Sequence, residues 1–117
     1  MLGVFYINKS YAQSKIDCST AKTQMEINRC AQNEFETADK ELNEVYKKLS
    51  VKLDGDNKLI LIQSQRKWVD FRDEYCKVYS SVYKGGSIAS SAVFNCKTET
   101  TRARIKELKT LFDQVDL

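Results

Sequence analysis

The chain has 117 residues, 30% of them charged, with 19 Lys+Arg against 16 Asp+Glu, four Cys, no His and no Pro. One domain is expected at this length, with a thin stability margin that crosslinks would widen. The missing His excludes imidazole acid–base catalysis, Ser-His and Cys-His nucleophile pairs and His metal ligands; the mild net charge of +3 excludes a dedicated nucleic-acid binder.

In chain order, Leu2 to Ile7 is mostly apolar, and Ser10 and Ala12 place small residues at −3 and −1 of a cut after Ala12. Residues 1–12 therefore read as a partial signal-peptide-like segment, ahead of one domain over 13–117. Lys15-Ile16-Asp17 before Cys18 is not a lipobox, so no lipid anchor is expected there. Thr23 with Glu26 forms a capping box, in which each residue's side chain satisfies the other's backbone N–H. Ile27, Ala31, Phe35, Ala38, Leu42, Val45, Leu49 and Leu53 then recur with the period of a helix of about eight turns. Asp54-Gly55-Asp56-Asn57 reads as a turn; it lacks the Gly position and distal Glu of a calcium loop.

A second helix is expected from about Lys58, with Leu61, Ser64, Trp68, Phe71, Tyr75, Val78, Tyr79 and Val82 on its inner face. Gly85-Gly86 ends it, since Gly tolerates the left-handed backbone of a helix C-terminus. Ser87 or Ser90 is expected to cap a third helix carrying Val93, Cys96, Thr100, Ile105, Leu108, Leu111 and Phe112. No apolar run is long enough to span a membrane.

Short connections make sequential helices antiparallel, which permits register arithmetic. Folding about position 55.5 sets Asp39 opposite Arg72 and Asn43 opposite Trp68. Folding about Gly85-Gly86 sets Cys76 opposite Cys96 and Trp68 opposite Arg104. Cys76–Cys96 follows as one disulfide and Cys18–Cys30 as the other. The expected fold is an all-α antiparallel three-helix bundle crosslinked by two disulfides, and an even Cys count in so short a chain places it in an oxidising compartment, secreted or periplasmic.

The densest motif is Gln65 to Cys76, where Trp68, Arg72 and Cys76 stack one turn apart. Trp, Arg and Tyr together suit a ligand site; the same residues suit a packed core with one buried ion pair, and Asp39, Trp68, Arg72 and Arg104 are read as that core. Tyr75, Tyr79 and Tyr83 form a further stripe, suited to sugar rings or a partner, or to a partly buried helix face. The carboxylates Asp70, Asp73 and Glu74 give no acid/base pair, so neither an enzyme nor a cofactor nor a metal site is expected.

Taken in order, several pieces make the chain recognisable. They are Cys18 and Cys30, Ala38-Asp39 with Leu42-Asn43 and Tyr46, the Gln65 to Cys76 motif, Gly85-Gly86-Ser87-Ile88, and Cys96 followed by Thr101-Arg102-Ala103-Arg104 and Glu107-Leu108. The sequence resembles the lysozyme-inhibitor LprI-like N-terminal domain family of small exported bacterial proteins. The resemblance implies a helical, disulfide-linked domain acting outside the cytoplasm, with lysozyme or another peptidoglycan hydrolase as partner. An inhibitor blocks a cleft with a rigid protrusion, and Gly85, Gly86, Ser87 and Ile88 are the expected partner-binding tip. A non-inhibitory envelope interaction module with an unknown partner is the alternative.

Overall fold

The computed structural model describes residues 16–115; the signal-like segment lies outside them. A 3-10 turn at Cys18–Thr20 leads into three helices: α1 (Gln24–Lys52), α2 (Gly55–Val82) and α3 (Ala89–Val115). No strand occurs among the described residues.

The start of α1 follows from its capping box. Thr23 Oγ1 accepts from the Glu26 N–H at 3.1 Å, and Glu26 Oε1 accepts from the Thr23 N–H at 3.1 Å and the Lys22 N–H at 3.3 Å. These donors have no partner within the helix, so the box replaces the water they would otherwise need. With neither Gly nor Pro inside it, α1 runs 29 residues unbroken. Just upstream, Asp17 Oδ1 accepts from the Ser19 N–H and hydroxyl, and the Cys18–Cys30 disulfide ties this turn to α1.

The connection from α1 to α2 is shorter than the sequence suggests: α2 begins at Gly55, not near Lys58. Gly55 adopts φ +53°, a backbone state open to Gly at little cost, so the chain reverses within Leu53 and Asp54 and re-enters a helix at once. The other end of α2 closes as a Schellman motif. The Gly85 N–H donates to the Ser80 carbonyl and the Lys84 N–H to the Ser81 carbonyl, both at 3.1 Å. The left-handed residue just past the helix is Lys84 (φ 53°), one position before the expected glycine pair; Gly85 follows at φ 68°.

Helix α3 packs along both other helices, most extensively along α1, while α1 and α2 approach each other only weakly. The core gathers Leu42 and Leu49 from α1, Leu61 from α2, and Ile105 and Leu108 from α3, with Val45, Tyr46, Trp68 and Phe112 packed around them. This corrects the inner face assigned to α2. Leu61, Gln65, Arg72 and Cys76 are its buried residues, whereas Phe71, Tyr75, Val78, Tyr79 and Val82 are exposed. Polar groups occupy buried positions because they find partners there. The stripe beside them stays largely in solvent, with Tyr75 and Tyr79 edging a groove against α3.

Candidate functional site

Three features survive as candidates: the tip between α2 and α3, the charged column inside the bundle, and the aromatic face of α2.

The tip is firmly built. The Tyr83, Lys84, Gly85, Gly86 and Ala89 N–H groups all donate to backbone carbonyls at 2.9–3.1 Å. The cap of α3, expected from Ser87 or Ser90, comes instead from Asn28 on α1. Its Oδ1 accepts from the Ser91 N–H at 3.1 Å and from Gln24 Nε2 at 2.9 Å, and its Nδ2 donates to the Ser87 carbonyl at 3.1 Å. A side chain from another helix thus satisfies one orphan donor of α3 and fastens the tip to α1. Ser91 is buried and its hydroxyl donates to the Ile88 carbonyl, while Ile88 itself remains 46% exposed. Behind the tip, the Cys76–Cys96 disulfide joins α2 to α3. Gly85, Gly86, Ser87 and Ile88 thus share one braced turn, near the first turns of α1.

The predicted core residues meet in a column of alternating cations and rings. Arg72 places its guanidinium 5.0 Å from the Phe35 ring and 5.3 Å from Trp68. Arg104 lies 5.7 Å from the other end of the column at Trp68, and Lys97 lies 5.5 Å from Phe35. Phe94 packs on Phe35 with ring centroids 6.0 Å apart. Such contacts strengthen when water is excluded. The buried Arg72 is held at two of its three nitrogens: its Nη1 donates to Asp39 Oδ1 at 3.1 Å and Thr101 Oγ1 at 3.3 Å, and its Nε to Asp73 Oδ1 at 2.9 Å. Arg104 donates to Gln65 Oε1, Ser64 Oγ and Glu107 Oε1 at 3.0–3.2 Å. Asn43, expected opposite Trp68, instead lines a shallow groove with Asp39, Tyr46 and Arg66. Trp68, Arg72 and Arg104 are spent on one another and on the core, which leaves no open Trp-Arg ligand site.

The aromatic face is the third candidate. Phe71 and Tyr75 stack in parallel at 5.7 Å, and Tyr75 meets Tyr79 edge-on at 6.5 Å. Tyr75, Tyr79 and Tyr83 line a groove of about 380 Å³ against Asn95, Glu99 and Thr100 of α3.

Two carboxylates have depressed pKa values. Hydrogen bonds from the Ser19 hydroxyl and N–H hold Asp17 below the usual carboxylate range, and those from Thr23 and Lys22 do so for Glu26. Both belong to caps. Among the described residues no cluster of three or more His, Cys, Asp or Glu is placed to hold a metal, and no helix is long and apolar enough to cross a membrane.

The family model for the lysozyme inhibitor LprI matches residues 16–108. The chain belongs to the LprI family. The match takes in both disulfides, the whole of α1 and α2, the tip and most of α3. The chain is also similar to an uncharacterized protein of Rhizobium meliloti (strain 1021), 31% identical over 117 residues, covering 89% of this chain and 84% of that protein. No solved structure matches. The motifs quoted above for the family now have physical places: Asp39, Trp68, Arg72 and Arg104 in the column, the cysteines in the two braces, and Gly85 to Ile88 in the tip.

Proposed function

We propose that this LprI-family protein is exported and binds a cell-wall hydrolase of the lysozyme class, inserting the Gly85–Ser90 tip into the substrate cleft. The observation that carries the reading is the construction of the tip. Ile88 is a half-exposed apolar residue on a turn whose Gly85, Gly86 and Ala89 N–H groups donate to backbone carbonyls, clamped to α1 by Asn28 and backed by Cys76–Cys96. A segment already held in its bound shape loses little conformational entropy on docking, which favours tight blocking of a cleft. Inhibition needs no catalytic group, in keeping with a chain that has no His and whose four cysteines are all in disulfides. The two disulfides suit the periplasm or the extracellular space, where hydrolases of peptidoglycan act and thiols stay oxidised.

The deciding experiment is a muramidase turnover assay with the purified, oxidised protein titrated in. Saturable slowing of cell-wall lysis at micromolar protein or below is the expected result; unchanged turnover across that range overturns the reading. In that event the exposed aromatic face of α2 favours an envelope interaction module instead.

A further inference from the structure

The stripe of Phe71, Tyr75, Val78 and Val82 is 47–65% exposed, on a helix that buries Leu61, Gln65, Arg72 and Cys76 along a neighbouring face. With Tyr79 and Tyr83 it presents roughly 550 Å² of largely apolar surface, near the upper size of patches on monomeric proteins. The stripe itself offers no charge, and Phe71, Val78 and Val82 offer no hydrogen-bonding group, which disfavours a sugar or a strongly charged protein as the occupant. The flanking Glu74 and Lys77 pair with each other at 3.2 Å, so these two add no net charge beside the stripe.

The spacing of the stripe points to its partner. Steps of four, three and four residues from Phe71 to Val82 are alternating d and a positions of a heptad. This pattern is its own reverse. Two such helices laid antiparallel about a two-fold axis between Cys76 and Lys77 set Phe71 against the second copy's Val82, and Tyr75 against its Val78. That is the a-to-d layering an antiparallel pair requires, and it is isologous, so it closes at two copies.

We infer that the C-terminal half of α2 is a homodimer interface, formed by antiparallel pairing of α2 with a second copy of this chain. Burying the stripe together with Tyr79 and Tyr83 on both copies removes about 1,100 Å², below the ~1,200–2,000 Å² of stable specific interfaces, so a weak, reversible dimer, micromolar at its tightest, is expected. The antiparallel arrangement carries the two Gly85–Ser90 tips to opposite ends, each about 15 Å from the axis, and leaves both free. The inference does not depend on what the tips bind.

The test is sedimentation velocity on the full chain from 1 to 200 μM, with circular dichroism of every variant. The wild type is expected to move from 13.5 kDa toward twice that mass over this range. Val78→Glu, which sets two carboxylates close to the axis, should weaken association at least tenfold at unchanged helicity. Phe71→Lys and Val82→Glu should each dissociate the dimer, and the double variant should recover it by pairing across the axis. A wild type that stays monomeric throughout, with or without affinity for a glycan or hydrolase, overturns the inference. So does a dimer indifferent to Val78→Glu, and failure of the double variant to recover overturns the antiparallel register.

Discussion

Replacing Arg72 by Met should be the most damaging single change to the charged column, and the structure sets its size against that of its partner's replacement. The Arg72 side chain is 8% exposed, but Asp39 and Asp73 are 39% and 42% exposed. Loss of the guanidinium therefore leaves two carboxylates that water can still reach, and their rehydration limits the penalty. Thr101 is different: it is fully buried, and it loses the donor at its hydroxyl oxygen, which costs about 1–3 kcal/mol for an unsatisfied buried group. The cation contacts with Phe35 and Trp68 add about 1–2 kcal/mol. Met retains part of the apolar stem volume, so the expected total is about 3–4 kcal/mol. Asp39→Asn removes one charge while Asp73 and Thr101 continue to hold Arg72, and should cost only about 1 kcal/mol. Urea denaturation at pH 7 with disulfides intact reads both. At a slope of about 1.5 kcal/mol/M, Arg72→Met should lower the midpoint by about 2 M or more and Asp39→Asn by well under 1 M. Equal shifts for the two variants, or an Arg72→Met shift below 0.5 M on the same ~1.5 kcal/mol/M slope, would refute the argument that Asp73 and the rings share the load.

Lys84→Gly should stabilise the fold by about 1 kcal/mol, because Lys84 holds a left-handed backbone that costs a residue with a Cβ about that much; calorimetry showing no rise in Tm would count against this. Asn28→Ala should cost about 1–2 kcal/mol and speed hydrogen exchange at the Ser91 amide, which loses its only capping acceptor from α1; unchanged protection at Ser91 is the contrary result. Because the pKa of Glu26 is depressed in the fold, its contribution is fully present above the ordinary glutamate range and is lost as pH falls through the depressed value. Glu26→Gln should therefore flatten the acid limb of a stability-against-pH curve, and an identical limb in both proteins would contradict the capping assignment.

The interhelical pairings were legible in the sequence because short turns and antiparallel neighbours leave little freedom of register. Asp39 and Arg72, Cys76 and Cys96, and Trp68 and Arg104 are near one another for that reason. The capping box at Thr23 was legible because its chemistry is local. The inner face of α2 was not, since apolar periodicity assumes that every apolar stripe is packed. Here Gln65 and Arg72 are inside because Arg104 and Asp39 satisfy them, and the stripe from Phe71 to Val82 remains outside. The role of Asn28 was also hidden, since a cap supplied from 63 residues away leaves no local pattern. Lys84 at a left-handed position gave no signal either; the glycines beside it drew the helix end one residue too far along.

The most direct test of the tip as the inhibitory element compares Ile88→Asp with Asn57→Lys, a change at the far end of the bundle, in the muramidase assay. A buried carboxylate at the point of contact should raise the inhibition constant at least a hundredfold, about 2.7 kcal/mol, with helicity and Tm unchanged, while Asn57→Lys inhibits like the wild type. Inhibition that survives Ile88→Asp would contradict the account and move the binding surface away from the tip.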